Sequence, residues 1–376
     1  MRKVELAPLT GIRFYAALLV YLYHVLIIPG MEALAGGRWI FNAGDVGVSF
    51  FFVLSGFILT YNYADVFRNG LSLANYRRFV WDRFTKIYPV HLAALLMVLP
   101  LAILSPNLPL DRRALPFHLL LLQCFWPSAT PAFYAHLNVP SWSISCEWFF
   151  YLLAPMAMFF AMGNRRFWVP VLVVVAYACG GWFLWAEQTD SDRLYFVSWF
   201  APSRFVEFLV GVFLGRLFLT APRVKVTTAA GFAQATGIAL IVAGAMYRPH
   251  AGWPFLGGLL YVPGSALLLL GLAYGRGFFV NHLSQLWLTR LGTASFSFYL
   301  IHAPMLRTAK GACIYLGWEV HSWAAFWAVA VGLFVVVQAA AFVVCYRYEI
   351  PLQKRLRSLL RTRTTSPVGF VPQYGG

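Results

Sequence analysis

Long apolar runs alternate with short polar segments along the whole chain. Most of the runs hold about 20 residues, the length at which an α-helix crosses the hydrocarbon core of a bilayer. The pattern predicts an all-α fold, a polytopic transmembrane bundle. The predicted spans are ten, at residues 9–28, 44–62, 86–104, 142–162, 168–186, 205–219, 228–247, 255–273, 287–305 and 322–346.

One apolar piece, at 115–126, departs from this pattern because it is short and flanked by Pro116 and Pro127. Runs of this length are typical of re-entrant or interfacial segments rather than of spans. We expect it not to cross the membrane. If it did cross, every later segment would exchange sides.

The basic residues indicate the direction in which the spans cross. With the N-terminus inside, 21 Lys and Arg residues fall in inner segments and eight fall in outer ones. Cytoplasmic segments of membrane proteins carry such an excess, so we expect both termini in the cytoplasm and an even number of spans. Residues 1–360 form one predicted membrane domain, and 361–376 a disordered tail.

Composition supports this interpretation. Of the 376 residues, 60% are hydrophobic and 11% charged, whereas soluble domains carry about 25% charged residues. The net charge of +16 comes from cations between the apolar runs, so we expect contacts with membrane lipids and not with nucleic acid. The five cysteines lack CxxC spacing, so we expect no disulfide framework. No histidine pair in a predicted span has the spacing of metal ligands, so we expect no metal site there.

Arg13 and His24 both lie in the first predicted span. Eleven residues turn an α-helix by about three turns and 20°, so the two side chains share a face about 16 Å apart along the axis. Ionisable groups at membrane depth are rare and often functional. A structural alternative remains open, in which Arg13 extends to the inner headgroups and His24 bonds a nearby carbonyl.

Three more titratable residues fall in the outer half of the bilayer in this topology: Asp45, Glu147 and His302. At the inner side, the segment RRFVWDRFTKIYP brings Arg83 and Lys86 to the start of the third span. The sequence therefore predicts a basic inner region and a titratable outer chamber. A pump or transporter has similar features, although we find no internal repeat of the kind common in secondary transporters.

Several motifs resemble those of the acyltransferase 3 family of integral-membrane acyltransferases, and they occur in the family's order over nearly the whole chain. In this sequence they are Arg13-x10-His24, FFVLSGF at 51–57, Arg83-Phe-Thr-Lys86-Ile-Tyr88-Pro89, Trp142-Ser143-Ile-Ser-Cys-Glu147, YLIH ending at His302, and Glu349-x-Pro351. Lys86 departs from the pattern, because the family commonly has arginine there. Lysine keeps the charge but loses the bidentate fork.

The resemblance implies an enzyme that transfers an acyl group, usually acetyl from acetyl-CoA, to a hydroxyl of an envelope or exported glycan such as an exopolysaccharide or lipopolysaccharide O-antigen. It implies a multi-pass protein of the bacterial inner membrane, with acyl-CoA and a glycan or lipid-linked glycan as partners. Acetyl-CoA is the expected co-substrate, and no metal is expected. The oligomeric state stays open.

The motif positions supply the expected site residues. Arg13, Arg83 and Lys86, with Tyr88 of the same motif, are expected to bind the donor, because cations pair with its phosphates. His24 is the expected general base, since imidazole accepts a proton near neutral pH. We expect Glu147 to orient His24 as a carboxylate does in a catalytic triad. The expected acceptor-binding residues are Asp45, Trp142, Ser143 and His302.

Alternatives remain at this stage. Glu147 and Asp45 also suit helix starts, which favour acidic residues. His302 suits packing as well as ligand contact, and Ser55 suits a close helix crossing beside Gly56 better than a nucleophilic role. A non-enzymatic flippase or exporter of an anionic glycan lipid would use similar residues, and an acyltransferase acting on a non-glycan acceptor fits equally. Covalent and direct transfer both remain open.

Overall fold

The structure is a computed structural model that describes residues 6–35, 37–104, 114–125, 137–163, 198–220, 227–247, 254–275 and 278–361. These ranges are helical and contain no β-strand, as the apolar runs predict. Their α-helices are α1 (Ala7–His24), α2 (Met31–Ala35), α3 (Gly44–Phe67), α4 (Leu73–Leu104), α5 (Ala114–Leu119), α6 (Ser141–Met162), α7 (Ala201–Thr220), α8 (Thr227–Tyr247), α9 (Val262–Tyr274), α10 (Phe278–Leu283), α11 (Leu286–Tyr315), α12 (Trp323–Val343) and α13 (Ile350–Arg361). Short 3-10 helices cover Val25–Ile27, Trp39–Asn42, Gln123–Phe125 and Pro254–Tyr261, and a π-helix covers Val344–Glu349.

Six helical segments in these ranges are long and apolar enough to cross a membrane, and they coincide with six of the ten predicted spans: Ala7–Ile27, Gly44–Phe67, Leu73–Leu101, Ser141–Met162, Ala229–Tyr247 and Trp323–Leu359. The predicted spans at 205–219, 255–273 and 287–305 are helical as well. The span at 168–186 and residues 362–376 of the predicted tail lie outside the described residues. The full count of ten spans and the side of the termini stay predictions.

Residues 114–125, which are the described part of the segment predicted to be re-entrant, contain no helix long enough to cross a bilayer. The six residues of α5 rise only about 9 Å, against roughly 30 Å of hydrocarbon. The chain then turns onto the start of α6, where Gln123 donates to the Ser141 carbonyl at 2.8 Å and the Cys124 amide donates to Ser145 at 3.3 Å.

Helices α1 and α11 run side by side in the same direction. Near one end Gly292 lies against the backbone of Thr10, and at the other end His24 contacts His302. We call the end at His24 and His302 the histidine end, and the opposite end, where Arg83 lies, the basic end. The two helices carry Arg13, His24 and His302.

Glycines allow the central helices to pack at backbone distance. A Cβ at Gly47 of α3 would lie 2.3 Å from the carbonyl oxygen of Ala16 in α1. A Cβ at Gly56 would lie 2.1 Å from the carbonyl oxygen of Phe208 in α7. Small residues serve this purpose in membrane bundles, where close van der Waals packing holds helices together. The small Ala16 therefore leaves room for α3.

Candidate active site

A cavity of about 260 Å³ lies between α1, α3, α4, α6 and α11. We call it the central cavity. Its polar lining includes Arg13, Ser55, Arg83, Lys86, Ser143, Glu147 and Tyr299. Five of the ten residues that the sequence singled out, namely Arg13, Arg83, Lys86, Ser143 and Glu147, are thus brought together from three helices. Ser55 faces the cavity, and the helix crossing expected of it is made by its neighbour Gly56.

Arg83 is held at the basic end in an aromatic setting. It is 7% exposed, its Nη2 donates to the Tyr63 hydroxyl at 2.9 Å, and its guanidinium lies 5.3 Å from the centre of the Tyr63 ring. Its Nε has no hydrogen-bond partner among the described residues. Buried donors are nearly always satisfied, so a buried guanidinium with a spare donor at a cavity wall suits an anionic ligand.

The other two cations of the cavity differ from each other. Arg13 is half-buried and forms no hydrogen bond or ion pair with the residues that the structure describes. Lys86 forms an ion pair with Glu349, a carboxylate from the π-helix near the end of the chain. The three predicted donor-binding cations are therefore brought together, but one of them is already paired.

Glu147 belongs to the same cavity as the cations, and not to a chamber with His24. It accepts a hydrogen bond from Tyr151 at 3.0 Å and lies within electrostatic range of Arg13, Arg83 and Lys86. The expectation that Glu147 orients His24 stays a prediction, and the two residues form no hydrogen bond in the structure. The reason is geometric: α6 runs from the histidine end towards the basic end, and Glu147 lies about 9 Å along it from Ser141.

Ser143 and Tyr299 close the cavity on the side of the histidine end. Their hydroxyl oxygens are 2.7 Å apart, and the Ser143 hydroxyl also lies 2.9 Å from the Pro140 carbonyl oxygen. Tyr299 is three residues, or about one helical turn, before His302. The cavity therefore ends one turn short of the histidines.

His24 takes its hydrogen-bond partner from α11. Its Nδ1 lies 3.1 Å from Nε2 of His302 and 3.0 Å from the Val20 carbonyl oxygen. His302 is fully buried, and its own Nδ1 lies 2.7 Å from the Tyr299 carbonyl oxygen. His302, which was expected to bind the acceptor, thus occupies the position that the sequence reasoning gave to Glu147.

These contacts assign the tautomers of the neutral rings. A nitrogen beside a carbonyl oxygen must carry the hydrogen, so His302 donates through Nδ1 and accepts at Nε2. His24 then donates through Nδ1, to His302 and to Val20, and its Nε2 carries the free lone pair. His24 is partly exposed, so this nitrogen suits proton acceptance from a substrate.

Besides the two histidines, three of the predicted residues lie away from the cavity lining. Tyr88 stacks on Phe84, with ring centroids 4.6 Å apart. Trp142 packs edge-on against Phe52 at 6.2 Å, beneath the guanidinium of Arg204. Asp45 lies in the first turn of α3, as acidic residues commonly do at helix starts.

A buried ion pair was missed by the sequence reasoning. Arg204 and Glu207 of α7 form two parallel hydrogen bonds of 2.8 and 3.0 Å, and Arg204 also donates to Ser49 of α3 at 3.1 Å. Both charged residues are almost fully buried. Opposite charges three residues apart in an otherwise apolar run were the available signal, because charges at membrane depth are usually paired. The pair fastens α7 to α3 behind Trp142.

Comparison with known proteins identifies the family. The acyltransferase 3 model, described as an acyltransferase domain, matches residues 7–345. "Acyltransferase MdmB" of Streptomyces mycarofaciens is 32% identical over 330 residues, which cover 81% of this chain and 80% of that protein.

A second relative is more distant. The "Putative peptidoglycan O-acetyltransferase YrhL" of Bacillus subtilis (strain 168) is 26% identical over 325 residues, 79% of this chain, and the match spans about half, 48%, of that protein. No solved structure matches the chain. The ordered motifs, the apolar helices and the family match agree: the chain belongs to the acyltransferase 3 family and is a multi-pass membrane acyltransferase.

Proposed function

We propose that the protein transfers an acetyl group from cytoplasmic acetyl-CoA to a hydroxyl of an envelope or exported glycan. The observation that carries the proposal is the central cavity, which begins among three cations and ends one helical turn from His24 and His302. In this proposal the basic end faces the cytoplasm of a bacterial inner membrane and the histidine end faces outwards.

The cations suit the phosphates of the donor. Arg83 offers a buried donor without a protein partner among the described residues, and Arg13 is unpaired there. Charge-assisted hydrogen bonds to phosphate are among the strongest that side chains form. The slim, nearly uncharged arm of the donor would extend along the cavity towards Ser143 and Tyr299, while the phosphates stay at the basic end. Glu147, among the cations, would contact the donor rather than the base.

The histidine pair suits direct transfer. Nε2 of His24 takes the proton of the acceptor hydroxyl, and the oxygen attacks the thioester carbonyl. The carbon–sulfur bond then breaks, and the leaving thiolate takes the proton from His24. His302 holds the His24 ring by accepting from Nδ1, the role that a carboxylate fills in a triad. The roughly 16 Å between Arg13 and His24 is of the same order as the length of the donor's arm.

Purified protein in lipid nanodiscs tests the reaction. Radiolabelled acetyl-CoA should transfer its label to an envelope glycan extract in the presence of the wild type and not in the presence of His24→Ala. A flippase or exporter, the principal alternative, would move a glycan lipid and transfer no label. If the protein binds acetyl-CoA and labels a small molecule or lipid but no glycan, it is an acyltransferase with a non-glycan acceptor.

The relative matched over four-fifths of its length is named only as an acyltransferase, without an acceptor, whereas the 26% identical relative is named as a putative peptidoglycan O-acetyltransferase. Mass spectrometry of envelope glycans and exported products, from strains with and without the protein, would identify the acceptor. Reporter fusions after residues 110 and 165 should give outside and inside signals respectively. An inside signal at both positions would contradict the proposed orientation.

A further inference from the structure

The last part of the described chain is fastened along α4, the helix that carries Arg83 and Lys86. The Trp81 indole donates to the Leu356 carbonyl at 3.0 Å, and the Tyr348 hydroxyl donates to the Pro89 carbonyl at 3.2 Å. Arg357 forms an ion pair with Asp82 at 3.3 Å. These contacts recur along one side of α4, so the chain end forms a wall behind the cavity.

Glu349 lies in the middle of this wall. It is the last residue of the π-helix Val344–Glu349, and it is fully buried. One carboxylate oxygen accepts from the Lys86 ammonium and the other from the Ser297 hydroxyl at 2.5 Å. Short π-helical stretches occur often at functional sites, because the extra residue re-aims the side chains that follow. Here the stretch ends with a carboxylate directed at a cation of the donor site.

Glu349 does not line the cavity, whereas Lys86 does. The ammonium group, which also lies 5.3 Å from the centre of the Phe296 ring, therefore stands between a buried carboxylate and the cavity. An anionic group in the cavity and the carboxylate of Glu349 would be drawn to the same charge. The carboxylate that does line the cavity, Glu147, accepts instead from Tyr151.

We propose that Glu349 is a positioning residue that competes with the donor's phosphate for Lys86, and so weakens the hold of the cavity on acyl-CoA and on the CoA product. The proposal rests on the donor proposed above. In the empty protein the lysine is neutralised by Glu349, and the phosphate must share it. With Glu349 neutral, the partly buried lysine would lose this counter-charge, and a bound phosphate would gain more by pairing with it.

The test is a comparison of two donors, acetyl-CoA and the uncharged thioester S-acetyl-N-acetylcysteamine, in nanodiscs. Glu349→Gln should bind acetyl-CoA and CoA about tenfold more tightly than the wild type, and CoA should raise its Tm by more. The uncharged thioester should react with unchanged KM. The matched control is Glu319→Gln, because Glu319 is an exposed carboxylate outside the wall. It should change neither the affinity for acetyl-CoA nor the KM of the uncharged thioester.

A second variant keeps the test valid if Glu349→Gln does not fold. Removing both charges of a buried pair is usually tolerated better than removing one. Acetyl-CoA should bind K86Q/E349Q about as tightly as the wild type, because a lysine already neutralised by Glu349 adds little to the hold on the phosphate. A tenfold or larger loss of acetyl-CoA affinity in K86Q/E349Q, or a loss shared by both donors in Glu349→Gln, would overturn the proposal. A wild type that binds no acetyl-CoA would instead contradict the proposed donor.

Discussion

The two ends of the central cavity are built on different principles. At the basic end, Arg83 and Lys86 are full charges set among aromatic rings, and a buried carboxylate offsets one of them. At the histidine end, His24 and His302 are joined by hydrogen bonds that fix which nitrogen carries a hydrogen. Charge at one end suits recognition of an ion, and a defined tautomer at the other suits transfer of a proton. Variants at the two ends should therefore fail in different ways.

The largest effect is expected at His24. His24→Ala should still bind acetyl-CoA but lose about a hundred- to ten-thousandfold in kcat, as is usual when a general base is removed. Single-turnover transfer and equilibrium binding, measured on the same sample, separate the two effects. The exposed His321→Ala is the matched control. A near-normal kcat in His24→Ala would leave His24 as a packing residue.

Arg83→Ala should show the opposite pattern. Loss of a charge-assisted contact to phosphate, worth roughly 1.5–3 kcal/mol, should weaken acetyl-CoA binding about ten- to a hundredfold. The kcat at saturating donor should change much less. Arg68→Ala, at an exposed position after α3, controls for loss of positive charge. An unchanged Kd in Arg83→Ala would remove Arg83 from the donor site.

His302→Gln should have a smaller effect on kcat than His24→Ala, because it changes the partner of the base and leaves the base in place. We expect a loss of about tenfold, the order found for partners that orient metal-bound histidines. Donor Kd should be unchanged. His302→Asn, whose shorter amide should reach His24 less well, should lose more kcat than His302→Gln. Equal kcat in the wild type, His302→Gln and His302→Asn would show that His24 needs no partner from α11.

The smallest expected effect is a shift in the pH profile of kcat. It distinguishes Glu147 from His302 as the residue that orients His24. Wild-type activity should fall on acidification, since protonated His24 has no free nitrogen with which to accept the hydroxyl proton. Glu147→Gln should leave the pH of half-maximal kcat unmoved, because Glu147 bonds Tyr151 and not His24. His302→Gln should move it. A displaced profile in Glu147→Gln, with none in His302→Gln, would restore the dyad that the sequence suggested.

The sequence by itself determined the helical class, most of the helix positions and the grouping of Arg13, Arg83 and Lys86 in one basic region; that Glu147 and Ser143 share a cavity with these cations came from the structure. Length and hydropathy are local properties, and they place helices without reference to their neighbours. The ordered motifs pointed to the acyltransferase 3 family for the same reason, since they depend only on order and spacing.

Only the tertiary structure decided which residues pair. It pairs His302 with His24, Glu349 with Lys86 and Tyr151 with Glu147. A helix that is apolar on all sides has no polar face to set its rotation about its axis. That rotation, and the depth at which a side chain meets its neighbour, follow from close packing at residues such as Gly47 and Gly292, whose partners are remote in the chain.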